Sequence, residues 1–472
     1  MGIFVANNTL YGSKLLIFLL FSKSLGKTSL PSPCFLEAGR NSPLRSSLER
    51  LECHFTWDLG QHRNELLGMK RNMEDVDQET CTWPVHYYNL LAYIHQALGS
   101  NTEALMYLDK AESVIQEQGT EEAGVRLQIN KANLAWIYFH LGELDKSKGY
   151  VEEVERLQQM HPAPPGCTLH PEVSGEKGWT LVKFNKSKKR QAIDYFKMAL
   201  KAQPDRKEWA KGLAVAMSRA YIKSELTPEL EADILEAVKT ASEIDSNDLF
   251  LQSLYILKKS EVQAETNDEK VQRFLDKTLS TGNLDGLGYI LEYFKIISVE
   301  RAIQEGQRVQ EKFPTSTKVL KILADVYRCK VFSMKEDSRE RQAWAQKCIK
   351  LFEEVVRNYP DCVRGRLSLA ALHHYAHNTE RADEIYRQLL SEEDDLPPHS
   401  QQLLYYSYAC HLYQCRQSRD QSICFHMKAA AIQNTSHDKQ KSIMILKKTV
   451  ENGRNSRCEL ISEFLKIALK EE

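Results

Sequence analysis

Apolar residues recur along this chain every three to four positions, in blocks of a dozen or more. That is the period of helices with one buried face, not of strands. Leu48, Leu51, Phe55 and Leu59 share such a face and predict a helix over Ser47–Leu59. Arg63–Glu79 is more polar and reads as a solvated helix. Pairs of blocks then follow one another. Leu91-Ala92 leads through Gly99 to Ala104, Leu108 and Ala111, and Leu134-Ala135 leads through Gly142 to Ser147, Val151 and Val154. Later pairs centre on Ala192/Phe196/Ala199, Tyr289–Phe294 with Ala302/Gly306/Val309, Cys348/Phe352/Val355, Ala382/Tyr386/Leu389, and Leu404–Tyr413 with Ser422/His426/Ala429. Pro-rich Met160–Val173 predicts a linker, and polar Val262–Lys270 a loop.

The small/large/small spacing Ala192-x3-Phe196-x2-Ala199-x4-Pro204 is the packing pattern of the 34-residue tetratricopeptide repeat. Its anchors are not evenly spaced. Ala104 to Ser147 is 43 residues, Ser147 to Ala192 is 45, and Cys348 to Ala382 is 34. The fold class predicted is therefore all-α, a superhelical tetratricopeptide-repeat solenoid with inserted helices and a central basic tunnel. A single unit cannot bury its apolar face alone, so the array must stack. The organisation expected is 1–44 as an extension, 45–255 as repeats carrying a basic pocket, 256–360 as middle repeats, and 361–472 as carboxyl-terminal repeats with a terminal helix.

Charge sharpens this picture. The whole chain is close to neutral, at −1. Lys183–Lys223 nevertheless holds 12 Lys/Arg against 3 Asp/Glu, a local balance of +9. Trp179 and Lys183 are one helical turn apart, and Val215 and Arg219 repeat that spacing 36 residues later. Two successive repeats thus place an apolar residue and a cation at equivalent sites on their first helices. Cations supply what phosphates need, and an exposed aromatic ring can stack on a base. By residue type alone, a scaffold for protein partners stands beside nucleic-acid binding.

Other chemistry is thinly represented. The sequence has no Gly-rich phosphate loop, no GxSxG, no HExxH and no CxxC, so neither an enzyme nor a cofactor is expected. His373 and His377, beside His374, have metal-compatible spacing but no further ligand in sequence, and Cys53-His54 reads as packing. Cys410, Cys415 and Cys424 lack ligand spacing, and no metal is expected. Eleven scattered Cys in 472 residues do not form a secreted disulfide framework. They predict a cytoplasmic protein with reduced thiols, in which the sequons at Asn7, Asn185 and Asn434 go unused. Leu15–Phe21 is too short an apolar run to span a bilayer. The first 44 residues are left as a disordered or spurious extension, a targeting segment or a buried helix.

The stretches CHFTW (53–57), NLLAY (89–93), NLAWIYFHLGEL (133–144), EKGWTLVK (176–183) and GLAVAMSRAY (212–221) together resemble the interferon-induced proteins with tetratricopeptide repeats. The likeness runs from about Ser46 towards the end and is strongest up to Tyr221. It implies an innate-immune, antiviral, cytoplasmic protein that holds the 5′ end of single-stranded RNA, as a triphosphate or an incompletely methylated cap, and withholds it from translation. It also implies translation initiation factors and other family members as partners, with no membrane role. Carried over by position, phosphate-binding cations fall at Arg71, Lys183 and Arg219, and the cap-stacking ring at Trp179. The apolar pocket wall falls at Val215, and further RNA contacts at Phe250, Tyr289 and Lys295. The departures are Asp75 for a glutamine, Gly288 and Lys295 for arginines, and Lys321-Ile322 for a His-Gln pair. A loop carrying Lys186, Lys188, Lys189 and Arg190 stands where the family often has glycines and an aromatic. The carboxyl end is expected to stop before the family's usual final repeat.

Overall fold

The computed structural model describes residues 43–60, 62–74, 83–119, 122–263, 268–334, 338–416 and 418–468. Residues 1–42 of the opening segment, and Asp75, lie outside the described residues. Among the described residues every regular element is helical, and no helix is long and apolar enough to cross a membrane. The fold is an all-α tetratricopeptide superhelix. By contacts the chain divides at Ile322/Leu323 into two compact units.

In the first unit, α1 (Pro43–Leu48) and α2 (Arg63–Glu74) precede a series of helix pairs. These are α3 (Pro84–Ala97) with α4 (Asn101–Gln118), α5 (Ala123–His140) with α6 (Leu144–Met160), α7 (Pro171–Val182) with α8 (Lys186–Ala202), and α9 (Lys207–Ala220) with α10 (Pro228–Ile244). Then come α11 (Leu249–Gln263), α12 (Asp268–Thr281), α13 (Leu287–Ile297) and α14 (Val299–Lys312). α15 (Thr317–Ser333) runs across the boundary. The second unit continues with α16 (Arg339–Asn358), α17 (Val363–Tyr375), α18 (Thr379–Ser391), α19 (Pro398–Gln414), α20 (Arg419–Ala431), α21 (His437–Asn452) and α22 (Cys458–Ala468).

Local chemistry sets the boundaries. Prolines open α3, α7, α10 and α19, where a missing N–H costs nothing. Asn185, Thr227, Ser298, Ser338 and Ser436 accept from a backbone N–H of the first turn they precede. Small residues let the helices close up: Ala104, Ala111, Ala192, Ala199, Ala302 and Ala382 are fully buried. Gly175 shows why no side chain is possible in the middle of α7, since a Cβ there would lie 2.0 Å from the Trp209 ring. Trp209 itself is fully buried, with its indole N–H on Gln203 at 2.8 Å.

Three sequence expectations are corrected. Ser47–Leu59 is not one helix: α1 stops at Leu48 and tight turns follow. The Thr56 hydroxyl donates to the Leu51 carbonyl at 2.6 Å and accepts from Cys53 N–H at 3.1 Å, and so competes with a helical ladder. Asp58, at φ 51°, turns the chain. Of the predicted apolar face, Leu48, Leu51 and Leu59 are buried without a continuous helix and Phe55 is half-buried. Val262–Lys270 is not a plain loop, because α11 reaches Gln263 and α12 begins at Asp268. Its polar residues include the acidic first turn of α12, whose Val271, Leu275 and Leu279 are buried. The lysines after Lys183 are likewise not in a loop. Only Phe184 and Asn185 separate Lys183 from α8, and Lys186, Lys188, Lys189 and Arg190 form its first turns.

Candidate nucleic-acid interface

α7, α8 and α9 build the site from below. The Phe196 ring of α8 is bracketed by two glycines. A Cβ at Gly178 of α7 would fall 2.9 Å from it, and one at Gly212 of α9 only 2.2 Å. Trp179, partly buried, meets this ring edge to face with centres 5.5 Å apart. Its indole N–H is buried without a hydrogen-bond partner. Val215 is 4% exposed and supports α9 from within the same core.

The cations gather above. Lys183 is exposed at the end of α7, and Arg219 is exposed in the last turn of α9. Lys189, in the first turn of α8, lies between charges of its own sign. Burial, then Arg219, Lys186 and Lys183, push its amine down from 10.5 to about 8, while Glu65 pulls the other way. Its Nζ donates to the Phe184 carbonyl. Burial also raises the Glu65 carboxyl, against the pull of Lys189. Like charges held this close in a partly dry place lower the cost of receiving an anion.

Aromatic groups continue the surface. Arg219 Nη2 donates to the Tyr289 hydroxyl at 2.9 Å, and its guanidinium carbon lies 6.0 Å from the Phe250 ring centre. Phe250 and Tyr289 meet edge to face at 5.2 Å. Lys211 approaches the Phe250 ring at 5.3 Å while bonding Asp248 at 2.6 Å. Lys295 is on the same helix as Tyr289 and pairs with Glu292 at 2.5 Å. Arg71 is in the last turn of α2, whose Leu66 and Met73 are buried in the core that also holds Val215. Next to it, Asn72 accepts from Lys321 at 3.3 Å.

The CHFTW turns hold this arrangement from the other side. Lys188 bonds Asp58 at 2.9 Å, and Lys177 bonds Glu52 at 2.8 Å. His54 is fully buried: its N–H donates to Asn133 Oδ1, Nδ1 faces the Asn133 amide at 3.2 Å, and Nε2 faces the Thr180 hydroxyl at 3.1 Å. Burial pushes its imidazole down to about 3. Ligand atoms of His54, His86 and Glu176 lie within 4.8 Å of one another, a set compatible with a metal ion. His54 spends both ring nitrogens on neighbours and Glu176 accepts from Asn89 at 2.8 Å, while both ring nitrogens of His86 are buried without a hydrogen-bond partner. Burial raises the Glu176 carboxyl to about 8.

Sequence reasoning placed Trp179, Lys183, Val215 and Arg219 by spacing, but it assigned Lys189 to a loop. The missed sign was Asn185, three residues before Lys188, which is a helix-starting residue.

Residues 85–117, covering most of α3 and α4, match the tetratricopeptide repeat. The chain is 27% identical over 428 residues to the antiviral innate immune response effector IFIT1 of Macaca fascicularis, covering 87% of this chain and 88% of that protein. It is 27% identical over 447 residues to human interferon-induced protein with tetratricopeptide repeats 2, covering 91% and 93%. Among solved structures, the human IFIT1 dimer with PPP-AAAA superposes with a TM-score of 0.65 at 23% identity, over 90% of this chain and 95% of that one. The human IFIT1 dimer with m7Gppp-AAAA gives 0.62 at 24% identity, over 90% and 99%. Over most of its length the chain is therefore similar to interferon-induced proteins with tetratricopeptide repeats.

Proposed function

We propose that this protein binds the 5′ end of single-stranded RNA, a triphosphate or an incompletely methylated cap, and acts against viruses by sequestering that RNA from translation without turnover. The observation that carries the reading is the crowding of Lys183, Lys186 and Arg219 around the partly buried Lys189 amine. A compact polyanion relieves that repulsion, and a 5′ phosphate chain is one. In this reading Lys183, Lys189 and Arg219 hold phosphates, with Arg71 joining them from α2. Trp179 stacks on the cap or first base, above Val215, and Phe250, Tyr289 and Lys295 meet the nucleotides that follow. The relatives support it: IFIT1 carries the name of an antiviral effector, and its solved structures hold PPP-AAAA and m7Gppp-AAAA. Translation initiation factors and other family members belong to the proposal as protein partners in a cytoplasmic setting.

Charge-assisted hydrogen bonds to phosphate contribute roughly 1.5–3 kcal/mol each. Arg219→Ala and Lys183→Ala are therefore each expected to weaken binding of 5′-triphosphate RNA by on the order of tenfold or more. The test titrates one short RNA carrying 5′-hydroxyl, monophosphate, triphosphate or cap, at two salt concentrations. A preference for triphosphate or cap that persists at the higher salt, and falls in both variants, supports the enclosed site. Equal, salt-sensitive binding of all four ends would make the cluster a generic basic surface and favour a scaffold reading.

A further inference from the structure

Inside the first unit, three side chains able to bind a metal come from three separate segments and meet in the core. His54 belongs to the CHFTW turns, His86 to the first turn of α3 and Glu176 to the middle of α7. All three are buried, and His86 is only 6% exposed. One ligand atom of each lies within 4.8 Å of those of the other two. Hydrogen bonds account for both ring nitrogens of His54 and for one oxygen of Glu176. They do not account for His86. Neither nitrogen of its ring has a partner, although a neutral imidazole carries both a donor and an acceptor. Buried polar groups are ordinarily satisfied, so an orphaned imidazole beside a carboxylate and a second imidazole points to a ligand that takes its lone pair. The surroundings fit such a ligand. Asn89, three residues after His86, donates to Glu176 at 2.8 Å and accepts from Asn130 at 3.3 Å. The Trp83 ring stands 5.6 Å from that of His86, and the Trp57 ring 4.6 Å from that of His54. A carboxylate oriented by an amide, inside an aromatic shell that excludes water, is the usual outer arrangement of a bound metal.

We propose that His54, His86 and Glu176 bind one zinc ion that ties the CHFTW turns and α3 to α7. Two imidazoles and one carboxylate are a zinc donor set, and burial keeps both imidazoles neutral, the form that coordinates. Around one zinc at about 2.0–2.1 Å, tetrahedral ligand atoms stand about 3.4 Å apart. The three groups therefore close in by at most about 1.4 Å, through side-chain rotation. His54 has the larger adjustment. Its Nε2 side faces α7, because Thr180 is one turn after Glu176 on that helix. The Nε2 proton moves to Nδ1, and Asn133 turns so that its Oδ1, which already accepts from the His54 N–H, receives both hydrogens. Nε2 then offers its lone pair to the metal, and the Thr180 hydroxyl is the neighbouring oxygen for a fourth contact. Loading displaces to solvent the proton that burial leaves on Glu176, and no atom changes oxidation state. With every ligand buried the ion has no open side for a substrate, so its role is structural. It fixes the stretch of α7 that leads, within two turns, to Trp179 and Lys183. Spacing gives no sign of the site, since the other ligands are 32 and 122 residues beyond His54, on other elements.

The test counts zinc by elemental mass spectrometry in the full chain, expressed in zinc-supplemented medium and dialysed free of loosely held ions. About one zinc per chain is expected, with an X-ray absorption shell of nitrogen and oxygen at about 2.0–2.1 Å and no sulfur at about 2.3 Å. The zinc content should fall to near zero in His86→Phe and in Glu176→Gln, and stay unchanged in His411→Gln of the second unit. Glu176→Gln keeps an oxygen for Asn89, so it should fold without the ion. His86→Phe should also melt lower than the unmodified protein. A plain packing role predicts the reverse, because that change removes two unpaired polar atoms from the core. Should either variant fail to fold, the absorption spectrum of the unmodified chain decides. No bound zinc, a shell that contains sulfur, or undiminished zinc in His86→Phe and Glu176→Gln overturns the proposal.

Discussion

Lys189 is an amine held where its charge is unwelcome. Its folded value of about 8 is below the ordinary lysine value of 10.5. Between those limits the unfolded chain binds the extra proton, so this group adds stability as pH rises from about 8 to 10.5 and withdraws it below. A bound phosphate chain reverses the preference and pulls a proton onto Lys189. Two results are expected of Lys189→Met: a higher melting temperature at pH 7 without RNA, and weaker binding of 5′-triphosphate RNA. Binding by the unmodified protein should also weaken from pH 7.5 to 9, and the variant should lose most of that slope. Melting curves and titrations across this range check it, and an unchanged slope in Lys189→Met would remove the residue from the site. None of this was legible in the chain, because the sequence shows that a lysine is present but not that it is buried among its own kind. The opposite holds for Trp179, Lys183, Val215 and Arg219. Their four-residue spacing, repeated in the next helix pair, needs only the helical period to be read.

Between elements, the site rests on how closely α7 and α9 approach α8. The Phe196 ring fills the space that side chains at Gly178 and Gly212 would occupy, and it carries the edge of Trp179. Gly212→Ala places a methyl 2.2 Å from a ring carbon, so Phe196 must move. Overpacking of this kind costs about 1–3 kcal/mol. Denaturant unfolding should show that loss, and binding of capped RNA should fall with it as Trp179 shifts. Full stability in Gly212→Ala would mean that the ring is free to give way. Periodicity predicted the helices here because both glycines sit in otherwise strong helical runs. It failed at Ser47–Leu59, where Leu48, Leu51, Phe55 and Leu59 keep helical spacing but only Leu48 is helical and turns bury Leu51 and Leu59. One hydroxyl, Thr56, was enough to offer the backbone another partner.

At the scale of the molecule, helical repeats ordinarily feel only their neighbours. The ion-pair cluster around Glu172 on α7 departs from that rule, because it also brings Arg206 to Glu122 two repeats away. Glu172 is 1% exposed and pairs with Arg126 on α5 at 3.0 Å and with Arg206, just before α9, at 3.1 Å. Arg206 also reaches back to Glu122, at the start of α5, at 3.4 Å. Three successive repeats are thus joined through a single carboxylate. Glu172→Gln takes the counter-charge from the buried Arg126 guanidinium and leaves Arg206 with Glu122 and Glu208, and removing one member of a buried pair costs about 3–5 kcal/mol. Hydrogen exchange should then show protection falling together across α5, α7 and α9, and a fall confined to α7 would argue against the link. A chain of repeats joined only to neighbours can fray one unit at a time, like a zip. With one acid shared across three, the stretch that carries the basic hollow opens all together or not at all, so a protease would find it whole or find it fully unravelled.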